Sequence, residues 1–379
     1  MKIIFIVITL ILGFLSPYTA LAQGSDDTFP YQFTSEVEIP HTAVKSQDST
    51  GSCWCFSAIS FLESELIRMN RGEYDLSEMF IVRHVYPLKA RNYIRLHGYT
   101  RFDQGSLSHD VINAVRDYGL VPESVYSGLL AAQTRHDHRE MIKAMRGMLD
   151  GVLDEPDDKI STVWPAALEG ILDAYLGEPS RQFSYNGKTY TPKDYAASLN
   201  LNLDKYIELT SFTHHPFYQQ MRLEVPDNWC ANDQYFNLPI DELERVVDHS
   251  LKSGYSVIWG GDVSEDTYAS NQVGFAIIPE EEENFPPEKP VKEKQIDQDM
   301  RQVTFDNHTT TDDHAVHIIG LVRDQRGELF YKIKDSWFSR GVTQGYLYYS
   351  KPYFRLKTTA IMINRDTLPD DIAKKLRLK

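Results

Sequence analysis

The stretch Lys45-Ser46-Gln47-Asp48-Ser49-Thr50-Gly51-Ser52-Cys53-Trp54-Cys55-Phe56-Ser57 places a cysteine where a polar, turn-prone loop gives way to an apolar helical pattern. Downstream, Ile59, Leu62, Leu66 and Met69 recur every three or four residues, while Glu63, Glu65 and Arg68 fall on other faces. That period predicts an amphipathic helix with Cys53 near its N-terminus. Unpaired backbone N–H groups and the positive end of the helix dipole favour negative charge there, which biases the sulfur towards the nucleophilic thiolate. Six residues upstream, Gln47 offers a side-chain N–H that can meet the oxyanion formed when the sulfur attacks a carbonyl. A lone cysteine at a helix start would more readily be an inert packing thiol. Gln47, Gly51, Ser52 and Trp54 in register with it shift the balance to chemistry.

A partner for that sulfur lies far along the chain. Thr311-Asp312-Asp313-His314-Ala315-Val316-His317-Ile318-Ile319 is a polar entry into a β-rich run. His314 and His317 are an odd number apart, so on a regular strand they face opposite ways and one of them can share a cleft with Cys53. A second strand, Glu328 to Lys334, ends in Asp335-Ser336-Trp337.

Gln-(five residues)-Cys-Trp with Gly-Ser before the cysteine resembles the nucleophile segment of papain-like cysteine peptidases. Thr50 stands where that family carries a disulfide-forming cysteine, which is more similar to the bleomycin hydrolase and aminopeptidase C branch. Asp-His-Ala-Val resembles the family's histidine motif, and so assigns the general base to His314 and leaves His317 as a packing or surface residue. The Asp335-Ser336-Trp337 stretch corresponds to Asn-Ser-Trp, where the asparagine orients the imidazole and the tryptophan screens their hydrogen bond. Asp335 is the main departure: it can still accept the ring N–H, and its charge is expected to hold the imidazolium to higher pH. The resemblance therefore implies an α+β, two-lobed papain-like fold. A helical lobe would carry Cys53, a β-barrel-like lobe His314, with a mainly helical insertion over about residues 128–241. It further implies acyl transfer by Cys53, His314, Asp335 and Gln47, with Trp54, Gly105, Trp337 and Lys379 meeting the substrate. Gly105 would pair with the substrate backbone, and the C-terminal tail, about residues 366–379, would enter the cleft so that the terminal carboxylate binds the substrate's free amine.

Composition bounds the rest. The 379 residues, 42% hydrophobic and 25% charged, suit a globular protein with one large or two modest cores. Lys2, the apolar run Ile3–Leu15 and the small-residue site Ala20-Leu21-Ala22 read as a secretory signal over residues 1–22, with a retained membrane anchor as the alternative. The peptidase domain then spans 23–379, and the mature protein is expected in the periplasm or outside the cell, off the membrane. Its formal charge of −15 before leader removal argues against nucleic acid as a partner. Peptides are the expected substrates. The three cysteines are too few for a disulfide framework. Cys55 and Cys230 are expected as buried thiols, and a bond between them stays open. No cofactor and no metal is expected; the pair His214-His215 lacks a third ligand at a fixed offset. Subunit association is implied for the insertion by family resemblance alone. Three functional readings remain: an aminopeptidase, an endopeptidase with an open cleft, and a peptide-binding protein that no longer cuts.

Overall fold

The computed structural model describes residues 30–154, 159–268, 274–281, 285–337 and 343–379; the leader expected at 1–22 lies outside them. The chain enters through β1 (Thr34–Glu38) and builds a helical half from α1 (Cys53–Arg68), α2 (Glu78–Arg95), α3 (Ser108–Tyr118), α4 (Arg139–Leu153) and α5 (Trp164–Leu176). A hairpin of β2 (Phe183–Tyr185) and β3 (Lys188–Tyr190), followed by α6 (Pro192–Leu199), completes it. Strands then dominate: β4 (Tyr206–Thr210), β5 (Gln220–Met221), β6 (Tyr235–Asn237), β7 (Val257–Gly261) and β8 (Phe275–Ala276), with α7 (Ile240–Lys252) before β7 and α8 (Gln298–Asp306) after β8. The C-terminal part runs β9 (His314–Arg323), β10 (Leu329–Lys334), β11 (Tyr346–Ser350), α9 (Lys351–Lys357), β12 (Thr358–Asn364) and α10 (Asp370–Lys375).

Local sequence accounts for most boundaries. Ser77 caps α2 by accepting from Phe80 N–H. The helix runs on through Pro87 to Arg95. α3 stops at Gly119, whose φ of +88° suits glycine and whose missing Cβ makes room for the backbone at Pro192. Thr191 and Asp194 form a reciprocal capping box around Pro192 at the start of α6.

α1 differs from the amphipathic helix expected of it. Every residue from Trp54 to Leu66 is buried, the acids Glu63 and Glu65 included. Those carboxylates survive burial because they are paired. Glu63 accepts from Lys45 Nζ at 3.1 Å and Leu76 N at 2.9 Å. Glu65 takes both Arg68 donors and Asn364 Nδ2, at 2.7–2.9 Å. A helix buried all round is a core helix, and this one runs between the two halves.

The strands pair in the order β5-β6-β4-β12-β7-β9-β10-β11-β8, with β1 added antiparallel to the far end of β9. Among the described residues the pairing is an open path. The insertion adds the helices α4–α6 and, from Tyr206, supplies β4, β5 and β6 to the main sheet. One apolar core, including Phe61, Met79, Val111 and Leu172, fills the helical half. A second, including Leu243, Trp259, Ile318, Tyr331 and Ile361, lies beneath the sheet and α7.

Candidate active site

Cys53 is the first residue of α1, where no acidic side chain in the first turn neutralises the helix dipole. His314 opens β9, opposite Gly261 of β7. Asp335 follows the last residue of β10, which pairs with β9 across a register shift between Lys332 and Ile333. Two adjacent strands thus bring together residues 21 positions apart: His314 Nε2 lies 2.8 Å from Asp335 Oδ1, and both side chains are buried. The Cys53 sulfur lies near enough to the imidazole to help hold its positive charge. With Nε2 committed to Asp335, Nδ1 is the nitrogen left for the sulfur.

Burial alone would push the His314 pKa down. The charge of Asp335, their hydrogen bond and the contact with Cys53 outweigh it, and the pKa is raised well above the usual histidine value. The Trp337 ring stands edge-on to the imidazole, with centroids 5.9 Å apart and planes at 70°. His317, by contrast, is fully buried and bonds Ser60 Oγ of α1 at 2.8 Å. Its pKa is driven well down by burial, as befits a neutral packing residue.

Gln47 is held from both ends. Its Oε1 accepts from Ser336 Oγ at 2.5 Å, its backbone N–H donates to Ser336 O at 2.8 Å, and its Nε2 donates to Thr50 O at 2.5 Å. Thr50, at the site of the missing family cysteine, closes the loop by donating to Gln47 O at 2.8 Å. One amide N–H of Gln47 remains for a developing oxyanion beside the Cys53 N–H, which has no acceptor within the helix.

These groups line a cleft of about 1020 Å³ that also includes Trp54, Gly105, Glu208, Asp227, Asp312 and Trp337. Trp54 is only 1% exposed, so it serves as wall rather than contact surface: its indole N–H donates to Gln104 O at 3.1 Å. Gly105 lies next in that turn. Buried Lys89 donates to its carbonyl and to Asp103 O, and a Cβ at Gly105 would fall on the Asp227 carboxylate. Burial lowers the Lys89 pKa to about 8. Lys379 is placed elsewhere: its ammonium pairs with Asp370, and α10 packs against α7 through Arg245–Asp371 and Lys375–Glu242. No residue of the 366–379 tail lines the cleft, which corrects the expectation of a tail reaching the substrate. The apolar residues Ile372, Ala373 and Leu376 explain why, since they are buried in the core beneath α7.

All three cysteines are free, which settles the open question of a Cys55–Cys230 bond. Cys55 is buried, as expected, and donates to Glu78 O at 3.3 Å, but Cys230 is exposed rather than buried. Glu224 meets the His214-His215 pair on an exposed rim, its two oxygens 3.2 and 2.7 Å from the two rings. Sequence reasoning also missed Ser336, Lys89 and Asp227. The Ser in the Asp-Ser-Trp run was a usable signal for the first; for the other two there was none.

Fold and site together define a papain-like cysteine peptidase. The chain belongs to the Peptidase C1-like family, whose profile matches residues 19–379. It is 21% identical over 377 residues to Aminopeptidase G of Lactobacillus delbrueckii subsp. lactis, covering 88% of this chain and 83% of that protein. Aminopeptidase C of the same organism is 22% identical, with 93% and 86% covered. The mitochondrial Cysteine proteinase 1 of Saccharomyces cerevisiae (strain JAY291) is 21% identical, with 90% and 79% covered. Among solved structures, PepW of Lactobacillus rhamnosis HN001 superposes with a TM-score of 0.73 at 18% identity, over 93% of this chain and 86% of that one.

Proposed function

We propose that this protein is an exported aminopeptidase that releases residues from the amino end of peptides through a Cys53–His314 pair. The Cys53 sulfur attacks the scissile carbonyl, and the oxyanion is held by the Gln47 side chain and the Cys53 N–H. His314 gives its proton to the leaving amine as the C–N bond breaks. Water then attacks the thioester, returns a proton to His314 and frees the acid and the sulfur. Asp335 keeps the ring oriented and charged throughout.

The observation that carries this reading is the buried His314–Asp335 contact at 2.8 Å, with Cys53 on the other side of the ring. Preference for the amino end is supported by the names of the relatives and by the cleft lining, where the carboxylates of Glu208 and Glu224 suit a substrate ammonium. The position of Lys379 favours a second reading, an endopeptidase with an open cleft, because the C-terminal tail packs against α7 and not in the cleft. A panel of matched peptides with free and acetylated amino termini separates the two. Acetylation abolishes turnover by an aminopeptidase and leaves an endopeptidase active. Export rests on residues 1–22, and a mature N-terminus at Gln23 in the extracytoplasmic fraction is the result expected. No helix among the described residues is long and apolar enough to cross a membrane.

A further inference from the structure

Behind the Gly105 turn, three side chains unused by the mechanism converge on one point. His109 Nε2 lies 3.4 Å from Cys230 Sγ and 3.6 Å from Asp110 Oδ1, and Cys230 Sγ lies 3.9 Å from the same oxygen. Ligands bound to zinc at about 2.0–2.3 Å in a tetrahedron are separated by roughly 3.3–3.8 Å, so the triangle already has nearly the size of one face. We propose that His109, Asp110 and Cys230 form a binding site for a thiophilic divalent cation of the zinc class.

The atoms facing away from that point are each tied down, as ligands of a metal site require. His109 Nδ1 lies 3.0 Å from Glu208 Oε2 and 3.2 Å from the Tyr235 hydroxyl. That is the carboxylate–histidine pairing that fixes the tautomer with the Nε2 lone pair inward. Asp110 Oδ2 accepts from Ser106 Oγ at 2.5 Å, Trp229 Nε1 at 2.9 Å and Leu107 N at 3.3 Å, which leaves Oδ1 for the cation. Glu208 is itself held by Asn232 Nδ2 at 3.1 Å. The donor set of thiolate, imidazole and carboxylate suits zinc or cobalt over calcium or magnesium. Exposed Cys230 gives the ion a route in, and buried His109 and Asp110 give it a preset seat. Sequence spacing could not reveal the site, because Cys230 is 121 positions from His109. A bound ion would clip the 228–232 loop to the first turn of α3, next to the segment that forms one wall of the cleft.

The test uses the full chain with Cys53→Ser, so that the Cys53–His314 pair cannot supply a thiolate, and cobalt as the probe after chelator treatment. One equivalent of Co²⁺ should bind with tetrahedral visible bands and a near-ultraviolet sulfur-to-cobalt band, displaced by Zn²⁺. Adding Cys230→Ser should abolish the sulfur band and weaken binding by more than about 100-fold, and Glu208→Gln should weaken it by about 10–100-fold. Alkylation of Cys230 by iodoacetamide in the Cys53→Ser protein should slow at least tenfold with one equivalent of Zn²⁺. This measurement stands even if a Cys230 variant misfolds. Absence of the sulfur band in the Cys53→Ser protein, its survival in the double variant, or alkylation indifferent to Zn²⁺ would each overturn the proposal and leave a Cys230–His109 hydrogen bond without an ion.

Discussion

Replacing Asp335 with asparagine removes one charge while keeping an acceptor for the His314 ring. The contact is 2.8 Å between heavy atoms and both side chains are buried. Taking the charge centres as about 4 Å apart and an effective dielectric of about 20, their attraction is about 4 kcal/mol. The sulfur on the other side of the ring still favours the imidazolium in the variant, so the His314 pKa should fall but not lose the whole of that attraction. His314 must be protonated to hand a proton to the leaving amine, so its titration sets the alkaline limb of kcat/KM. Because the wild-type value is raised, activity persists into alkaline solution; in Asp335→Asn the limb moves to lower pH. The assay is kcat/KM for a fluorogenic dipeptide from pH 5 to 10, with the pH profile of Cys53 alkylation measured in parallel. An alkaline limb that stays in place in both would refute the reasoning, since Asp335 would then contribute no charge to His314.

Cys53→Ala should lower turnover by at least about a thousandfold at an unchanged melting temperature, measured by active-site titration and calorimetry. Gln47→Ala should cost about 100–1000-fold in kcat, with a smaller loss in Ser336→Ala, whose hydroxyl only holds the Gln47 amide. Gly105→Ala should raise KM for every peptide tested, because the added methyl meets Asp227. Lys89 loses its proton as pH rises through about 8, so wild-type KM should climb above that pH while the KM of Lys89→Met stays flat.

The site was legible where chemistry and local order coincide. Cys53 stood at the junction of loop and helix, and His314 and Asp335 stood at a strand entry and a strand exit. Local signals of the same kind mark the stop of α3 at Gly119 and the start of α6 at Thr191, Pro192 and Asp194. What failed depended on tertiary partners. Glu63 and Glu65 look like solvent-facing residues until Lys45, Arg68 and Asn364 are brought to them. The tail reads equally well in a cleft or on a surface; its three buried apolar residues and the pairs with α7 decide between them. Cys230 became exposed because residues 228–232 form a loop over α3 and not a strand or helix with an inner face.

The hydrogen bonds between Ser336 and Gln47 bridge the two lobes at the residue next to Asp335. One short loop therefore orients the base and steadies the oxyanion donor at once. If the lobes swung apart, Gln47 would lose its Ser336 anchor while His314 and Asp335, held on neighbouring strands, stayed together. A ligand that wedged the lobes open would therefore unseat the oxyanion donor without touching the sulfur or its base.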